Sequence, residues 1–491
     1  MTELLKKFIA ARVVPPPQSI VVKDEAFYKL ADKCRLQVAS PLAPETGAKI
    51  VRDFFQACWN VVPELQWSNG GENLSPAAYS LKTTQTLCEI ATGDADGLRN
   101  ALKSLRQLAE SERGVPTLSH HIVPCVQIDD YPKMEFRGVH LCWFPETAIW
   151  EIEKQIRLAA YYKFNYLVLE SWGMIKLESH PEFCWDEFAV CKQEIRRLVE
   201  LGKELGVTLF PQFNLFGHAT ASRCGTGKHV LLDRHPEYAS LFEPDGWTWC
   251  VSNPHTRRYL DEIVTELHEL FDNPPYFHIG CDEAYNAGSC SICGDNYPEK
   301  LQAHIEHYHA LLATRGTRVM MWHDMLLCRD DPRWDGYIVC GHSEMGMENL
   351  YAQLPKDIII CDWQYGYPEV DGKAPQWPTL LFFKEAGFDV LACPWLERHG
   401  TQSLGQCVAQ QNLFGLLQTT WHRSSGSHRM ESLFLVAAKA AWNPAAEWEP
   451  IVAHREYLNR HIREIAADMK LEDYTQRGSV RYQINPYPYQ D

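Results

Sequence analysis

Two adjacent carboxylic acids, Asp282 and Glu283, end an apolar run that begins at Phe277 and includes Gly280 and Cys281. Neighbouring carboxylates in partly dehydrated surroundings repel one another and lose hydration, so we expect at least one of them to resist ionisation. A carboxyl group that keeps its proton near neutral pH is what general acid catalysis requires. Adjacent acids are also common on protein surfaces as solvated charge, but the apolar run before this pair favours the catalytic interpretation.

One geometric condition applies to this pair. Successive residues of a β-strand point to opposite faces of the sheet. Both acids therefore face one pocket only if the strand breaks at Asp282 and leaves Glu283 in the following loop.

The pair lies within a regular series of short apolar runs. Eight β-rich runs follow one another from residue 136, and most are separated by stretches with helical periodicity. This alternation predicts a (β/α)8 barrel, a TIM barrel of the α/β class, over residues 136–430. An open doubly wound sheet is the alternative, but no Gly-rich phosphate fingerprint follows the first run. The eight predicted strands are 136–143, 166–171, 207–216, 277–283, 318–324, 358–365, 389–395 and 415–421.

The predicted barrel has a shorter segment on either side. Residues 1–135 combine a β-branched run, a strand-like segment and a helical apolar spacing, which predicts a small α+β accessory domain. This domain contains no dense cluster of polar side chains, so we assign it a supporting role. Residues 431–491 have helical character, and we expect this extension to pack on the barrel or to form a homodimer contact.

The carboxyl ends of the strands are where barrel enzymes carry their active sites. Six of the 16 tryptophans lie at or just after such a predicted end. A single tryptophan is more often a large core side chain, but six on one rim favour flat aromatic walls against the apolar faces of a pyranose. The six are Trp143, Trp172, Trp322, Trp363, Trp395 and Trp421.

The overall composition argues against several classes of partner and location. A formal net charge of −16 disfavours nucleic acid, because phosphate binding needs a basic face. No uninterrupted apolar run reaches the roughly 18 residues that a membrane-spanning helix needs. The first residues lack the apolar core of a secretory signal, and the 17 cysteines, an odd number, look like free thiols of a reduced compartment. We therefore expect a cytoplasmic protein.

The segment from His278 to Ala284 resembles the His-x-Gly-Gly-Asp-Glu signature of glycoside hydrolase family 20, the β-hexosaminidases. The resemblance is closest to the hexosaminidase D-like branch, in which a Cys in place of the second Gly is familiar. Arg137 and the Gly after it on the first predicted strand fit the same family, as do Gly217 and His218 after the third.

The resemblance extends over roughly residues 136–425 and implies a function. A member of this family would be an exo-acting β-N-acetylhexosaminidase that removes terminal, non-reducing β-linked GlcNAc or GalNAc from glycans, without a cofactor. Its mechanism would be substrate-assisted, an exception to the two-carboxylate scheme of most glycosidases. The 2-acetamido carbonyl oxygen would attack the anomeric carbon and form an oxazolinium intermediate. Asp282 would orient the acetamido group, and Glu283 would protonate the leaving oxygen and then activate water.

The resemblance also assigns roles to residues around the pair. Arg137 would grip the O3 and O4 hydroxyls of the terminal sugar, and an ion pair at the barrel mouth is its structural alternative. Glu170 and His218 would hydrogen-bond near Glu283 and tune its proton affinity, unless they are satisfied structural residues. The aromatic walls around the ring and the acetamido group would be Trp322, Trp363 and Trp421.

Three strand ends depart from the family pattern. Glu170-Ser171-Trp172-Gly173 replaces Asp-Asp-Gln-Gly-Trp after the second strand, and Trp421-His422-Arg423 replaces Trp-x-Glu after the eighth. Trp395-Leu396-Glu397 stands where a Tyr-x-Asp element usually follows the seventh, so we take Tyr365 as the substitute donor to the acetamido oxygen. Contacts to O4 and O6 are open, with Asp324 and Glu397 as candidates and Trp395 beside the sugar. The choice between gluco and galacto sugars is open as well.

Three other functions remain open from the residues alone. The first is an ordinary retaining glycosidase with Glu170 as nucleophile, and the second is a glycan-binding barrel without catalysis. The third is a metallohydrolase built on His140, His218, His278 and Asp282. That site would want His-x-His on the first strand, where Cys takes the place of the second His.

Cys290 and Cys293 form a lone C-x-x-C just after the catalytic pair. Such a pair is half of a zinc site, and no second C-x-x-C with suitable spacing follows. We therefore predict no metal and interpret these residues as buried or loop thiols, although Cys281 or a nearby His would be able to complete a site.

Overall fold

A computed structural model describes residues 2–23, 27–111, 121–145, 147–219, 230–294, 296–365, 376–421, 428–447 and 451–469. The chain divides into two compact units. The first comprises the described residues of 1–135, 160–163 and 434–470, and the second comprises those of 136–159 and 164–433.

The first unit is built on two β-sheets. Its elements up to residue 135 are α1 (Glu3–Ala10), β1 (Ser19–Val22), β2 (Tyr28–Leu30), β3 (Arg35–Ala39), α2 (Pro44–Trp59), β4 (Glu64–Ser68), β5 (Tyr79–Thr83), β6 (Cys88–Thr92), α3 (Ala95–Leu108), β7 (Glu110–Ser111), β8 (His121–Val123) and β9 (Val126–Asp130). A six-stranded sheet has the order β1-β9-β5-β6-β3-β4, and a three-stranded sheet has the order β2-β8-β7. Helix α3 contacts β5 and β6, which agrees with the predicted α+β domain.

A buried polar network lies inside this unit. The Tyr79 hydroxyl donates to Asp130 Oδ2 at 2.7 Å, and Lys163 Nζ donates to the same oxygen at 3.1 Å. The indole of Trp442 donates to the other carboxylate oxygen of Asp130 at 2.8 Å. Each buried charge and dipole in the network therefore has a partner, which offsets the cost of removing it from water.

The carboxyl-terminal helical residues belong to the first unit. Arg106 donates to both carboxylate oxygens of Asp468, at 2.8 and 3.0 Å, a bidentate pair of good geometry. Residues 434–470 thus group with residues 1–135, whereas the sequence predicted packing on the barrel or a homodimer contact. Helical periodicity shows that a helix has an apolar face, but it does not show which surface that face covers. The rest of the predicted extension, from residue 470, lies outside the described residues.

The second unit is a closed barrel of eight parallel strands, β10 to β17. Its elements are β10 (Phe136–Trp143), α4 (Ile149–Tyr161), β11 (Tyr166–Ser171), α5 (Lys192–Leu205), β12 (Thr208–Gln212), α6 (Pro254–Leu270), β13 (Tyr276–His278), α7 (Tyr297–Ala313), β14 (Arg318–Trp322), α8 (Leu350–Gln353), β15 (Ile359–Asp362), α9 (Pro378–Glu385), β16 (Asp389–Ala392), α10 (Arg398–Gln411) and β17 (Gly415–Gln418). Two helices follow along the chain, α11 (His428–Trp442) and α12 (Ile451–Ala467), and their residues from 434 onward belong to the first unit. Short 3-10 turns are Pro236–Leu241, Asp324–Leu326, Pro332–Trp334, Ser343–Met345 and Met347–Asn349.

The predicted barrel is confirmed, with its eight strands in the predicted order. Several strands are shorter than the apolar runs that predicted them. The third run, 207–216, contains the strand Thr208–Gln212, and the fourth, 277–283, overlaps a strand that ends at His278. The apolar residues that follow these two strands, among them Phe213, Leu215, Phe216 and Ile279, are buried loop residues, and their apolar character does not distinguish them from strand residues.

Side chains from all parts of the sheet fill the barrel interior. Phe136 stacks on Tyr166 with ring centroids 4.5 Å apart, and Phe210 meets the Phe136 ring edge-on at 6.5 Å. The buried interior cluster is Phe136, Val168, Phe210, Met320, Trp322, Ile359, Cys361, Trp363, Leu391, Cys393 and Leu417. The barrel is therefore a packed core that holds its strand ends in fixed positions.

Among the residues that the structure describes, every helix is too short or too polar to cross a membrane.

Candidate active site

The backbone after β13 leaves the extended conformation before it reaches the two acids. Gly280, Cys281 and Glu283 have φ angles of 68°, 73° and 47°, in the left-handed region. Such angles are unfavourable for residues with a Cβ, and they cluster at functional sites, where the surrounding structure holds them. The strand break that the sequence required for the pair is therefore present, and it begins before Asp282.

A single histidine joins the two acids. His218 Nε2 lies 3.0 Å from Glu283 Oε2 and 3.3 Å from Asp282 Oδ2. His218 itself has a left-handed φ of 56°. The structure thus brings the three predicted residues together, with both carboxylates turned to the same imidazole.

Burial and charge oppose one another in this group. Burial disfavours the charged imidazole, but the charges and hydrogen bonds of Asp282 and Glu283 outweigh it and raise the pKa of His218 to about 10. Burial raises the pKa of Asp282, despite the opposing charge of His218. Burial also acts on Glu283, but hydrogen bonds from His218 and Tyr285 outweigh it and lower the pKa of Glu283. Burial thus acts against the charged form of Asp282, whereas His218 favours the carboxylate form of Glu283.

One oxygen of Asp282 is kept open. The residue is 5% exposed, and Oδ1 is buried without a hydrogen-bond partner among the described residues. An unpartnered buried acceptor costs free energy unless a ligand donor completes it. The second oxygen, Oδ2, faces His218. Asp282 can therefore accept one N–H or O–H from a bound molecule.

Asp324 positions Glu283 from the next strand end. Its Oδ2 accepts the backbone N–H of Glu283 at 2.9 Å, and its Oδ1 accepts the indole N–H of Trp363 at 3.2 Å. Burial and the charge of Asp282 raise the pKa of Asp324 to about 6. Both oxygens thus serve protein donors, so the structure places Asp324 behind the pair as a positioning residue and not at sugar O4 or O6.

Glu170 is also held by the protein. Its Oε2 lies 3.0 Å from His140 Nε2 and accepts from Cys142 Sγ at 3.0 Å, and Asn214 Nδ2 donates to its Oε1 at 2.7 Å. Burial opposes ionisation, but these three partners outweigh it and lower the pKa of Glu170. A carboxylate whose two oxygens are engaged in this way is poorly prepared to attack an anomeric carbon. The geometry therefore disfavours Glu170 as the nucleophile of a two-carboxylate mechanism.

The proposed metallohydrolase ligands do not form one set among the described residues. His140 lies beside Glu170, and His218 lies between the two acids. His278 Nδ1 accepts the backbone N–H of Gly280 at 3.1 Å, and burial lowers the pKa of His278 well below its usual value. The three histidines therefore have different hydrogen-bond or ion-pair partners: Glu170 for His140, the two acids for His218 and the Gly280 backbone for His278.

Four aromatic side chains line the mouth opposite the acids. The Tyr365 ring lies 5.7 Å from that of Trp363 and 5.3 Å from that of Trp395, and Trp421 lies 6.0 Å from Trp363. Tyr365, Trp395 and Trp421 are half-buried, so part of each ring remains open. These rings come from the ends of β15, β16 and β17, and their contact with a sugar stays a prediction.

Trp322 differs from this group, contrary to the sequence prediction. It is 0% exposed and packs in the barrel interior, 4.2 Å from the His278 ring and 5.0 Å from the Trp421 ring. A side chain without accessible surface supports the Trp421 ring from below but does not contact a sugar. Trp322 is therefore a core residue.

Two further predicted sugar contacts, Arg137 and Glu397, lie on β10 and at the start of α10. Phe136 belongs to the interior cluster, and a Cβ on Gly138 would meet the side chains of Phe136 and Leu417. Arg137, between these two residues on β10, is 5% exposed. Glu397 is exposed at the start of α10, where its backbone carbonyl accepts the N–H of Thr401 at 2.8 Å. The roles of both side chains at a sugar stay predictions.

The remaining predicted site elements are placed in part. His422 and Arg423 of the eighth strand end lie outside the described residues. Gly217 is required by close packing, because a Cβ there would lie 1.9 Å from the Asp282 carbonyl oxygen. The Gly-His element after β12 thus contributes both the histidine and the space for the acid loop.

Sequence reasoning missed two residues of the site. Trp247 donates its indole N–H to the Glu283 carbonyl at 2.7 Å, and its ring lies 4.3 Å from His218. It lies in the long loop before α6, and nothing in its sequence neighbourhood indicates this contact. Asn214, the partner of Glu170, falls inside the third predicted strand, so its loop position was hidden by that assignment.

Two family models match the chain. "Glycosyl hydrolase family 20, catalytic domain" matches residues 135–379, and "Glycosyl hydrolase family 20, domain 2" matches residues 10–131. The acid pair and His218 fall inside the first match, whereas β16 and β17 lie beyond it. The departures noted after the seventh and eighth strands thus lie outside the matched range.

Two curated relatives are distant in sequence. A β-hexosaminidase of Akkermansia muciniphila is 25% identical over 293 residues, which are 51% of this chain and 56% of that protein. A β-hexosaminidase of Vibrio furnissii is 25% identical over 346 residues, 62% of this chain and 55% of that protein. The chain spans about half the length of the curated relatives that it matches.

Solved structures share the fold. An exo β-N-acetylglucosaminidase of Vibrio harveyi in complex with N-acetylglucosamine has a TM-score of 0.68 and 16% identity, with 93% of this chain and 77% of that chain covered. A β-N-acetylhexosaminidase of Streptomyces coelicolor has a TM-score of 0.67 and 17% identity, with 94% and 96% covered. Since the family models match both the barrel and the domain before it, the chain belongs to glycosyl hydrolase family 20.

Proposed function

We propose that this chain is an exo-acting β-N-acetylhexosaminidase. It would remove terminal, non-reducing β-linked GlcNAc or GalNAc from glycans with retention of configuration. The observation that carries the proposal is the open, buried oxygen of Asp282 beside an acid that His218 holds in place. A sugar 2-acetamido N–H is a donor of the kind that this acceptor lacks.

The first chemical step forms one bond and breaks another. The acetamido carbonyl oxygen attacks the anomeric carbon, while the bond from that carbon to the leaving glycosidic oxygen breaks. The leaving oxygen takes the electron pair and a proton from Glu283. Asp282 accepts the acetamido N–H and stabilises the positive charge that develops on the resulting oxazolinium ion. Tyr365, whose pKa burial raises well above its usual value, is the donor that we assign to the acetamido oxygen.

The second step reverses the proton transfer. Glu283, now a carboxylate, takes a proton from water as the water oxygen attacks the anomeric carbon. The bond between that carbon and the acetamido oxygen breaks, which restores the neutral amide. Two displacements on the same carbon retain the configuration, and the protein forms no covalent adduct.

His218 supplies the proton that Glu283 needs. In the free enzyme the imidazole is protonated and Glu283 is ionised. Transfer of that proton over the 3.0 Å between Nε2 and Oε2 gives a neutral imidazole and a protonated Glu283 without a change in net charge. A bound sugar that excludes water from Glu283 favours its neutral carboxyl group, so sugar binding promotes the protonation of Glu283.

The setting of the enzyme is part of the proposal. The cysteines that the structure describes are free thiols, which supports a reduced, cytoplasmic compartment. The half-buried ring wall of Tyr365, Trp395 and Trp421 favours a terminal sugar in a closed pocket, and hence exo action on N-acetylhexosamine-terminated glycans.

An N-acetylglucosamine thiazoline tests the mechanism, because it mimics the oxazolinium intermediate. We expect it to bind at least about 100-fold more tightly than free N-acetylglucosamine, as intermediate analogues do. Nitrophenyl glycosides with and without a 2-acetamido group form the matched substrate panel, and only those with the group should be hydrolysed. Equal rates on both kinds of glycoside, or indifference to the thiazoline, would overturn the proposal.

A further inference from the structure

Four metal-binding side chains converge on the loops beside Glu283. They are Glu243, Cys250, Cys290 and Cys293, and their ligand atoms all lie within 4.8 Å of one another. We propose that these four residues hold one structural zinc ion. The inference goes beyond the glycosidase function, and it replaces the sequence prediction of no metal.

The sulfur spacing fits metal ligands better than a disulfide. Cys250 Sγ lies 3.5 Å from Cys290 Sγ and 3.6 Å from Cys293 Sγ. A disulfide needs about 2.05 Å between its sulfurs. Thiolates about 2.3 Å from a tetrahedral zinc lie roughly 3.8 Å from one another. The three sulfurs are therefore near the spacing that zinc imposes on its ligands.

The C-x-x-C turn is shaped for thiolate ligands. The backbone N–H of Cys293 donates to Cys290 Sγ at 3.3 Å, a contact that stabilises negative charge on that sulfur. The third sulfur comes from Cys250, in the loop before α6 and 40 residues earlier in the chain. A pattern of two C-x-x-C motifs does not include a single distant cysteine such as Cys250. Cys281, the completing ligand considered from the sequence, instead points its sulfur to the Ile279 carbonyl at 3.6 Å.

Glu243 supplies an independent sign of a missing partner. It is 1% exposed, and its Oε2 accepts the backbone N–H of Cys290 at 2.7 Å. Its Oε1 is buried without a hydrogen-bond partner among the described residues. A buried carboxylate oxygen is costly when unpaired, and a cation beside three thiolates would satisfy it. Four protein ligands close a tetrahedral site and leave no position for water, so the ion would be structural.

The zinc ion would crosslink two loops that lie next to the catalytic acid, Glu283. Glu243 and Cys250 lie in the loop before α6, and the C-x-x-C lies in the loop that follows Glu283. Between the first two residues lies Trp247, whose indole N–H binds the Glu283 carbonyl. A metal that crosslinks these loops would hold Trp247, and through it the left-handed backbone of Glu283, in register.

Metal analysis of the full chain, purified without chelators or metal-affinity steps, tests the proposal. We expect roughly one zinc per chain, with X-ray absorption showing three sulfur neighbours at about 2.3 Å and one oxygen at about 2.0 Å. A folded chain that contains no zinc and takes up none when Zn²⁺ is added would overturn the site. A disulfide among these cysteines, detected as a loss of two hydrogens in the intact mass, would overturn it as well.

Variants identify the ligands. Cys250→Ser and Cys293→Ser should lose the bound zinc, and Glu243→Gln should weaken its retention against a chelator by about 10- to 100-fold. Cys407→Ser, on α10 and outside the cluster, is the matched control and should keep one zinc. Retention of zinc by both cysteine variants would refute the assignment. Metal content is read without substrate, so failure of the glycosidase proposal and failure of the zinc site are distinguishable.

Discussion

The two sides of the barrel mouth are built by different forces. On the carboxylate side, after β11 to β13, hydrogen bonds and ion pairs of 2.7–3.3 Å fix Asn214, His218, Asp282 and Glu283. On the aromatic side, after β15 to β17, rings meet at centroid distances of 5.3–6.0 Å. The carboxylate side is therefore held by directional polar contacts between atoms, and the aromatic side by packing between ring surfaces.

This difference assigns a kinetic role to each side. Proton transfer and charge stabilisation require donor and acceptor atoms to be correct within a few tenths of an ångström. Apolar contact with a sugar ring tolerates small shifts, because it depends on buried area. We therefore expect changes on the carboxylate side to lower kcat and changes on the aromatic side to raise KM.

The largest effect should come from the two acids. Asp282→Asn and Glu283→Gln should each lower kcat/KM by about 1,000-fold or more on glycosides with poor leaving groups, because each loses a group used in the transition state. On activated dinitrophenyl glycosides, which need no acid, only Glu283→Gln should keep a substantial rate. Initial rates on the two substrate classes provide the measurement. Equal losses on the activated substrate would contradict the division of roles between the acids.

Gly217→Ala should break the carboxylate side without touching a reacting group. The new Cβ would lie 1.9 Å from the Asp282 carbonyl oxygen, so the acid loop has to move. A displacement of about 1 Å lowers kcat by up to about 100-fold, with a smaller effect on KM. Gly316→Ala, where a Cβ meets nothing within 4 Å, is the control for an added methyl group that meets no neighbour. Steady-state kinetics that match between the two variants would show that the loop is not constrained.

The charge on His218 should appear in the pH dependence of stability. Its folded pKa, about 10, is above the ordinary value near 6.5, so its contribution is complete below pH 6.5 and is lost as pH rises toward 10. His218→Asn keeps a residue that tolerates a left-handed backbone but removes the charge. Urea unfolding at several pH values should show the wild-type advantage over this variant shrinking from pH 6.5 to pH 10. If the stability advantage of the wild-type protein grew over that interval, a charged His218 in the folded protein would be excluded.

On the aromatic side, Trp395→Ala should act mainly on binding. The half-buried ring packs 5.3 Å from Tyr365 and offers surface to a sugar in both the ground and transition states. Loss of such uniform binding should raise KM by about 10-fold with kcat nearly unchanged. A fall in kcat of the same size would show that this wall also positions the reacting atoms.

The smallest effect on activity should come from Trp322→Phe. Because Trp322 is 0% exposed, the smaller ring should lower the free energy of unfolding by about 1–3 kcal/mol and leave KM within about two-fold. Denaturant melts beside steady-state kinetics give both quantities. A large rise in KM would return Trp322 to the sugar-binding wall.

The aromatic side also shows which features of the structure can be predicted from the sequence and which cannot. Apolar periodicity predicted the strands and their order, because burial repeats along an element whatever it packs against. The same periodicity did not separate Trp322, inside the barrel, from Trp395 at its mouth, since both follow apolar runs. The acid pair was predictable because its chemistry is local in the chain. Trp247 and Cys250 were not, because their partners lie about 40 residues away and meet them only in the folded loops.

Asp324 has a consequence for how such an enzyme diverges over time. One buried carboxylate holds both the backbone of the catalytic Glu283 and the indole of Trp363. A mutation that reshapes the sugar wall at Trp363 therefore alters the acid as well, and selection would remove most such changes. At the end of β16, the Trp395 indole instead donates to the Thr420 carbonyl at 3.3 Å, and the Glu397 carbonyl accepts the backbone N–H of Thr401. Drift in sugar preference should therefore collect after the last two strands, where this chain departs most from its family.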